Sequence, residues 1–309
     1  MRIVTLASGS GGNATLVESG GTRVLVDAGV GPFFVRAALE RLERAYARGS
    51  SDVGASADAA HESARPRRSA LVDAVIVTHA HQDHFGYARK YARKARVPVY
   101  VSEATARAHD LGGVERFVRF SPREPFQIGA LLVAPVPAPH DAPQVALTLS
   151  DGVASVGLAT DVGEVTGPLV EHLAGCDVVL LESNHDLGML ERGPYPSFLK
   201  RRVGSARGHL SNEQAASLLR ALSPRTRAVA LLHLSTTNNL VELALASARD
   251  ALAGRRVHLC AAPARETLLI DASAPAPAPL PGPRPMPWRE RRRPAGAALA
   301  GQLSLFPAG

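Results

Sequence analysis

The 309-residue sequence predicts an α/β fold, in which two mixed β-sheets are covered by helices as a four-layered αββα sandwich. Short apolar runs typical of strands alternate along the chain with stretches of helical periodicity. Glycine-containing turns such as Ser150-Asp151-Gly152 separate the middle strands and indicate hairpins, whereas helices separate later strands and indicate parallel crossovers. Hydrophobic residues make up 46 % of the chain, which excludes a wholly disordered or fibrous protein.

The predicted strands are short apolar runs bounded by glycine, aspartate or proline. They are Ile3–Leu6, Thr15–Val17, Arg23–Val26, Ala74–Thr78, Val97–Val101, Gln144–Leu149, Val153–Thr160, Val178–Glu182, Ala228–His233 and Arg256–Leu259. The predicted helices have apolar residues at intervals of three or four, and they are Pro32–Ala47, Ala104–Asp110, Ser211–Leu222 and Asn239–Ala253. Because the composition becomes rich in proline, alanine and arginine from Ala272 onward, we expect one folded domain over residues 1–271.

Two segments lack the periodicity of folded elements. Residues 49–69 are polar and rich in alanine and serine, which predicts a surface insertion within the domain. Residues 272–300 are dominated by proline, alanine and arginine, and they predict a disordered linker because alternating prolines form neither a helix nor a strand ladder. Five arginines and one glutamate lie in this linker, so much of the net charge of +7 falls outside the predicted domain. Net charge is therefore weak evidence for nucleic-acid binding.

Cysteine content and the N-terminus bear on the cellular compartment. Two cysteines, Cys176 and Cys260, are too few for a disulfide framework or a four-thiolate zinc site, and they predict buried thiols in a reducing compartment. The first apolar run is too short for a signal peptide or a membrane span. We therefore expect a cytoplasmic protein without a membrane partner.

A cluster of metal-binding residue types directly follows the predicted strand Ala74–Thr78. It contains His79, His81, Asp83 and His84 within six positions. On an extended turn, side chains two residues apart point the same way, so the first two histidines can share one ion while the aspartate and the last histidine face a second. Imidazole and carboxylate ligands suit zinc, iron or manganese rather than magnesium or calcium. The position directly after a buried strand argues against the alternative of a merely solvated histidine-rich loop.

This H-x-H-x-D-H pattern resembles the signature of the metallo-β-lactamase superfamily, and the resemblance extends over roughly residues 1–271. It implies the αββα sandwich and seven ligands for two divalent ions, zinc or manganese: His79, His81 and His140 for the first, Asp83, His84 and His233 for the second, and Asp161 between them. The resemblance also implies that Asp27, in Val-Asp-Ala-Gly, braces the metal-binding loop from behind the ligands.

A second motif indicates which reaction of this diverse superfamily to expect. Gly208-His209-Leu210-Ser211, followed by a predicted helix, resembles the ribonuclease Z and cyclic phosphodiesterase motif whose histidine approaches the scissile phosphate. Two divalent ions can activate water for attack on phosphorus. His209 would then stabilise the developing charge or assist the leaving oxygen, and Asp83 would orient the nucleophile or accept its proton. The alternative for the motif is a helix N-cap at Ser211 with an exposed histidine beside it.

Further strings are similar to the YycJ/WalJ group of bacterial metallo-hydrolases. They are ASGSGGN at residues 7–13, ESNHD at 182–186, YPSFLK at 195–200, and the GHLSN and HLSTTNN strings that begin at Gly208 and His233. The similarity implies a DNA exonuclease, directed to single strands or 5′ ends and linked to repair. Ser8, Ser10 and Asn13 lie on a glycine-rich loop that could receive a phosphate or form only a tight turn. His185 is a candidate for substrate binding, with a packing role as its alternative.

The terminal segment, residues 301–309, contains a short apolar motif after the linker. Gln302, Leu303, Leu305 and Phe306 resemble the bacterial peptide that docks into an apolar cleft of the sliding clamp. The alternative is a chance string at a frayed terminus. Together these patterns predict a dinuclear-metal exonuclease acting on single-stranded or nicked DNA and recruited to the clamp.

Two other functions compete with this prediction. One is a hydrolase of small phosphodiesters or thioesters, for which the arginine-rich linker would be incidental. The other is a non-catalytic scaffold or regulatory protein that kept the fold, and the complete ligand set argues against it.

Overall fold

The computed structural model describes residues 1–49, 71–111, 116–262, 267–274 and 277–280. Its first sheet has seven strands in the spatial order β14 (Leu268–Asp271), β1 (Arg2–Ala7), β2 (Ala14–Ser19), β3 (Thr22–Val26), β4 (Ala74–Ile76), β5 (Val99–Ser102) and β6 (Phe117–Phe120). Pairing is antiparallel from β14 to β3 and parallel from β3 to β6. The sheet is therefore mixed, as predicted.

The second sheet also has seven strands. Its order is β13 (His258–Ala261), β12 (Ala228–Leu232), β11 (Val178–Glu182), β10 (Ser155–Ala159), β9 (Gln144–Ser150), β8 (Leu131–Ala138) and β7 (Phe126–Ile128). Strands β7 to β10 pair as antiparallel neighbours, and β10 to β13 as parallel ones. Parallel pairing brings the carboxyl ends of β10, β11 and β12 to one edge, which is where polar side chains collect in sheets of this kind.

Helices lie on the outer faces of both sheets. They are α1 (Pro32–Gly49), α2 (Gln82–Phe85), α3 (Ala88–Lys90) continued by a π-helical turn (Tyr91–Ala95), α4 (Glu103–Ala108), α5 (Gly167–Ala174), α6 (Leu187–Arg192), α7 (Ser197–Val203), α8 (Asn212–Arg220) and α9 (Val241–Ala251). One apolar core joins the two sheets, through side chains such as Ile3 and Leu180. A second core lies between the first sheet and its helices, and a third lies between the second sheet and its helices. The predicted αββα sandwich is confirmed.

Several elements were absent from the sequence-based prediction, and β8 shows why. Its sequence LLVAPVPA contains Pro135 and Pro137, which lack the amide hydrogen that a strand ladder uses. In the structure, β7 pairs only with Leu131 to Val133, so the proline half of β8 is hydrogen-bonded on one side, to β9. The strand tolerates the prolines because β7 does not extend along this half of β8.

The C-terminal end of the predicted domain pairs with its first strand. Residues of β14 up to Asp271 align antiparallel with β1. Beyond it, Leu280 accepts a hydrogen bond from Gly254 N at 3.2 Å and donates one to Arg255 O at 2.9 Å. The first part of the predicted linker thus lies against the second half of the sandwich rather than extending freely. Most of the predicted insertion and the remainder of the linker fall outside the described residues.

No helix within the described ranges combines the length and apolar character that a bilayer span requires.

Candidate metal centre

The site forms where strands of both sheets end. Asp27 and His233 directly follow β3 and β12, and Asp161 is the second residue after the end of β10. All three have a left-handed backbone, with φ of 65°, 57° and 53°. Non-glycine residues rarely adopt this conformation, and where they do the strain is commonly associated with functional sites. Three of the six non-glycine residues with positive φ among the described residues therefore lie at this edge of the sandwich.

Three of the predicted ligands form a first cluster. Ring nitrogens of His79, His81 and His140 lie within 4.8 Å of one another. His140 Nδ1 donates to Gly208 O at 3.1 Å, which leaves its Nε2 facing the cluster. Nε2 of His79 is buried without a hydrogen-bond partner among the described residues. Burial, followed by the neighbouring His84, holds the pKa of His79 well below its usual value, so this ring is the neutral imidazole that a metal requires.

Carboxylates and histidines form a second cluster beside the first. His84 Nε2 lies 2.8 Å from Asp161 Oδ2 and 3.4 Å from Asp83 Oδ2. His233 Nδ1 lies 3.3 Å from Asp161 Oδ1, and its Nε2 lies 3.9 Å from Asp83 Oδ2. Donor atoms of His79, His84 and Asp161 also lie within 4.8 Å of one another, so Asp161 adjoins both clusters. Such a set of imidazole and carboxylate donors suits divalent transition metals.

The charges around His84 show that the second cluster favours a cation. Burial by itself would lower the pKa of His84, but Asp27, Asp83 and Asp161 together raise it well above its usual value. Burial likewise opposes the charge of Asp161, yet His233 and His84 hold its pKa well below the usual range. Asp27, Asp83 and Asp161 thus place negative charge around His84, which would favour a divalent cation in this cluster.

Asp27 binds the metal-binding loop from behind. Its Oδ2 accepts from His84 Nδ1 at 2.7 Å, and its Oδ1 accepts from the backbone N and the hydroxyl of Thr78, both at 2.9 Å. These bonds fix the ring of His84 so that Nε2 faces the centre.

A buried glutamate, Glu182, was missed as a site residue by the sequence analysis. Its Oε1 accepts from His209 Nδ1 at 2.8 Å and from His233 Nδ1 at 2.9 Å. Its Oε2 accepts from the backbone N of Val162 and Leu210, at 2.9 and 3.1 Å. Both oxygens therefore accept hydrogen bonds, and Glu182 orients the two histidines. Its carboxylate also lies within 4.8 Å of donor atoms of Asp161, His209 and His233, a group that could itself hold an ion. The sequence feature that could have identified Glu182 is its position at the end of an apolar strand, which also pointed to Asp161.

The environment of Glu182 keeps it ionised. Burial would raise its pKa, but the charge of His209 and the hydrogen bonds from His209 and His233 lower it to about 2. The effect is mutual. Burial would lower the pKa of His233, whereas Asp161 and Glu182 raise it to about 9.

His209 lies between the two clusters and the solvent. Its ring centroid is 5.4 Å from that of His140 and 5.3 Å from that of His233. Burial opposes its protonation, but Glu182 and then Asp161 raise its pKa above the usual value. Ser211 also caps α8 through a reciprocal capping box with Gln214. Ser211 is thus the N-cap of α8, and His209 also lies near the proposed ligands, so the two interpretations of this motif do not exclude each other.

Asp141 is a second carboxylate that the sequence analysis did not select. Its Oδ1 lies 3.2 Å from His81 Nε2, and its Oδ2 accepts from Arg202 Nε at 3.0 Å. Burial would raise the pKa of Asp141, but the hydrogen bond from His81 and the charge of His140 hold it well below the usual range. With Nε2 of His81 bound in this way, Nδ1 is the atom left for the first cluster.

The candidate substrate-binding residues occupy different places. Ser8 Oγ accepts from His233 N at 2.8 Å, and Asn13 Nδ2 lies 3.1 Å from Asp83 Oδ2, so both support the ligands from buried positions. Ser10 lines a pocket beside the centre. His185 is fully buried, does not line that pocket, and has a pKa lowered to about 4, chiefly by burial. The structure thus places His185 in the interior.

The predicted clamp-binding residues lie outside the described residues. They are Gln302, Leu303, Leu305 and Phe306.

Comparisons with known proteins show the family to which the chain belongs. Residues 22–234 match the family model described as a beta-lactamase superfamily domain. The chain belongs to this superfamily. It is 32 % identical over 248 residues to the exodeoxyribonuclease WalJ of Streptococcus pneumoniae serotype 2 (strain D39 / NCTC 7466), a match that covers 77 % of this chain and 83 % of that protein. With the exodeoxyribonuclease YycJ of Bacillus anthracis it shares 32 % identity over 254 residues, covering 80 % and 87 %.

Solved structures show the same architecture. The metallo-beta-lactamase fold protein YhfI from Bacillus subtilis superposes with a TM-score of 0.60 at 16 % identity, over 87 % of this chain and 98 % of that one. Within the WalJ/YycJ family of this superfamily, the chain is a metal-dependent hydrolase with a metallo-β-lactamase fold. This membership argues against the non-catalytic scaffold that the sequence left open.

Proposed function

We propose that this hydrolase is a dinuclear-metal phosphodiesterase that degrades DNA as a single-strand or 5′-directed exonuclease. The observation that carries the proposal is the position of His209, an imidazole held by Glu182 at 2.8 Å and facing the two clusters of ligands. The names of the relatives, which are exodeoxyribonucleases, support the same substrate class.

The metals are proposed to be two zinc or manganese ions. His79, His81 and His140 would hold one, Asp83, His84 and His233 the other, with Asp161 between them. The unpartnered Nε2 of His79 and the negative charge around His84 fit such cations. Bound ions would supply Lewis acidity and activate water for attack on a phosphodiester.

His209 supplies the charge stabilisation that this reaction needs from the protein. With Nδ1 donating to Glu182, its other ring nitrogen is free to donate to an oxygen of the phosphate group. Burial opposes protonation of this ring, but Glu182 and then Asp161 raise its pKa, which favours the cationic form that would stabilise negative charge on phosphorus. A pre-oriented donor of this kind typically accelerates a reaction by about 10²–10³.

Asp83 is the proposed proton acceptor. Burial would raise its pKa, but His84 lowers it through its charge and a hydrogen bond, so the carboxylate is ionised at neutral pH. Its Oδ2 is fixed by Asn13 Nδ2 at 3.1 Å. A fixed, ionised carboxylate among the ligands can orient the attacking water and take its proton.

Assays on several substrates test this function. Single-stranded, nicked and duplex DNA would be incubated with the metal-loaded protein beside a cyclic nucleotide and a thioester. We expect degradation of DNA to exceed turnover of the two small substrates. Faster turnover of a small phosphodiester or thioester would instead establish the alternative function.

We further propose that the segment from Gln302 to Phe306 recruits the enzyme to the sliding clamp during DNA repair. A short peptide buries little area, so its dissociation constant should be about micromolar. The 20 residues of the linker beyond Leu280 would reach roughly 60 Å if extended at about 3.1 Å per residue, which lets the domain search nearby DNA.

Clamp titrations test the recruitment. Leu305→Ala combined with Phe306→Ala should abolish clamp binding and leave the activity on short oligonucleotides intact. Equal affinity of the wild type and the double variant for the clamp would contradict this part of the proposal.

A further inference from the structure

A pocket opens beside the metal centre on the side of α6 and α7, with a volume of about 60 Å³. His209 and His233 of the metal centre are among its lining residues. The remaining lining consists of apolar and uncharged polar side chains: Ser10, Asn184, Tyr195, Leu199, Val203, Leu234, Ser235 and Asn238. A group bound in this pocket would therefore adjoin the scissile phosphate.

Asn238 is the unusual member of this lining. Only 1 % of the residue is exposed, yet neither Oδ1 nor Nδ2 has a hydrogen-bond partner among the described residues. Its main chain is anchored at both ends, because N donates to Ser235 Oγ at 3.1 Å and O accepts from Asp186 N at 2.9 Å. Buried amides are almost always hydrogen-bonded, so the amide of Asn238 requires a partner, and the pocket that this residue lines is the place where one could bind.

The neighbouring Asn239 provides the contrast. Its Nδ2 donates to Ser183 O at 2.9 Å, and its Oδ1 accepts from Leu240 N at 3.0 Å. The side chain of Asn239 is therefore explained by structure alone, whereas the side chain of Asn238 is not.

The turn between α6 and α7 makes room for the amide of Asn238. A Cβ added to Gly193 would lie 2.6 Å from Asn238 Oδ1. A residue with any side chain at position 193 would displace the amide. Two separate loops thus build the seat in which this amide lies.

The chemistry of the pocket matches a nucleobase. Leu199 and Val203 pack with Leu190 and Tyr195 in a small apolar cluster of their own, and this cluster forms one wall. An aromatic and apolar wall accommodates the face of a base. An asparagine amide offers one donor and one acceptor, which pair with the edge of a base.

We propose that this pocket binds the nucleobase of the nucleotide adjoining the scissile phosphate, with the amide of Asn238 bonded to the edge of the base. The inference rests on the proposed DNA exonuclease function and extends it. A base can present its edge to a buried amide only when it is unstacked and unpaired. Selection of single-stranded ends then follows from the pocket rather than from the metals.

Kinetics on matched oligonucleotides test the proposal. Full-length protein would be assayed on single strands that carry either a normal nucleotide or a tetrahydrofuran abasic nucleotide at each end in turn. We expect the abasic nucleotide at one end to raise KM about tenfold in the wild type. Asn238→Leu should raise KM for the normal strand to a similar extent and leave KM for that abasic strand unchanged.

Two further variants separate binding from folding. Asn238→Asp keeps the shape of the side chain and removes its donor, and it should reproduce the effect on KM. Gln127→Leu makes the same amide-to-leucine change at an exposed position of β7, at the far edge of the second sheet, and should change no kinetic constant. Because the amide of Asn238 is unpartnered, Asn238→Leu should leave the melting temperature unchanged or raise it. A lowered melting temperature with unchanged KM would show a structural role and overturn the proposal.

Binding measurements distinguish a failure of the pocket proposal from a failure of the proposed exonuclease function. If the wild type degrades DNA but KM does not depend on the base or on Asn238, the pocket proposal is overturned and the exonuclease function stands. If the wild type degrades no DNA, that function fails, and titration of dAMP and deoxyribose 5-phosphate into the metal-loaded protein decides about the pocket. Tighter binding of dAMP that is lost in Asn238→Leu supports the pocket; equal affinities overturn it.

Discussion

The carboxylate of Glu182 lies 2.8 Å from Nδ1 of His209 beside the proposed metal ligands; Glu182 is fully buried and the side chain of His209 is 13 % exposed. The same oxygen accepts a hydrogen bond from His233 at 2.9 Å. One glutamate thereby orients both a proposed metal ligand and the histidine proposed to stabilise charge. We therefore expect both metal binding and charge stabilisation to depend on this one side chain.

Replacement of this glutamate should impair both roles. In Glu182→Gln, the only acceptor oxygen cannot serve both pairs of donors, and the new NH₂ group faces two of them. We expect kcat to fall by about 10² or more, and the free energy of unfolding to fall by about 1–3 kcal/mol. Kinetics, metal analysis and denaturant unfolding would measure these changes beside Glu164→Gln, an exposed control. Full activity in Glu182→Gln would show that the orientation of the two rings is unimportant.

His209→Ala separates charge stabilisation from metal binding. Because His209 is not among the proposed ligands, the variant should keep its metals while losing about 10²–10³ in rate on DNA. Metal content and kcat would be measured on the same preparation. Comparable rates at equal metal loading would remove His209 from the mechanism.

Asp161→Ala, in contrast, should reduce the metal content of the protein. Asp161 adjoins both clusters, with Oδ2 at 2.8 Å from His84 and Oδ1 at 3.3 Å from His233. We therefore expect the wild type to carry about two ions per chain and the variant to lose at least one. Elemental analysis of the purified proteins is the measurement, and unchanged content would exclude Asp161 as a ligand.

Gly29 is expected to be required for the packing of the site. A Cβ there would lie 1.8 Å from Asp83 O and 2.4 Å from Asn13 N, so the loops must separate to admit it. We expect Gly29→Ala to destabilise the protein by about 1–3 kcal/mol and to reduce metal content. Gly175→Ala is the matched control, because a Cβ at that position meets nothing within 4 Å. Equal melting temperatures of the two variants would contradict the prediction.

Acid stability should depend on Asp177, far from the metals. Its Oδ2 accepts from the backbone N and the hydroxyl of Ser155, at 2.9 and 3.0 Å, and Arg225 binds the same carboxylate. Burial would raise the pKa of Asp177, but these hydrogen bonds lower it. A carboxyl whose pKa is depressed by folding contributes stability above its unfolded pKa of about 3.9 and loses it as pH falls through the folded value.

Asp177→Asn is therefore expected to lower the free energy of unfolding at pH 7 by about 1 kcal/mol. The difference from the wild type should shrink as the pH falls below about 4. Denaturant unfolding from pH 7 to pH 3 would measure it. A difference that is the same at every pH would show that the charge of Asp177 does not contribute.

Much of the fold and part of the proposed ligand set could be predicted from the sequence because their signals are local. The spacing of His79, His81, Asp83 and His84 is set within one turn that follows a strand, and the periodicity of the flanking runs marks the strand itself. The resemblance to the metallo-β-lactamase superfamily added His140, Asp161 and His233 to this set. The structure brings these three residues to the edge of the sandwich where the other proposed ligands lie. Short strands such as β6 and β7, and the proline-containing β8, escaped prediction because pairing, not local preference, forms them.

The remaining relationships were decided by the tertiary structure. Glu182 is 27 residues from His209 and 51 from His233, and they meet only because the parallel order of β10, β11 and β12 aligns the ends of these strands. His185 and Asn238 belong to strings that were equally visible in the sequence, yet one is enclosed in the interior and the other lines the pocket. Residue type and spacing determine which side chains can bind a metal, whereas burial and long-range contacts determine which of them orient a ligand, fill a core or face a substrate.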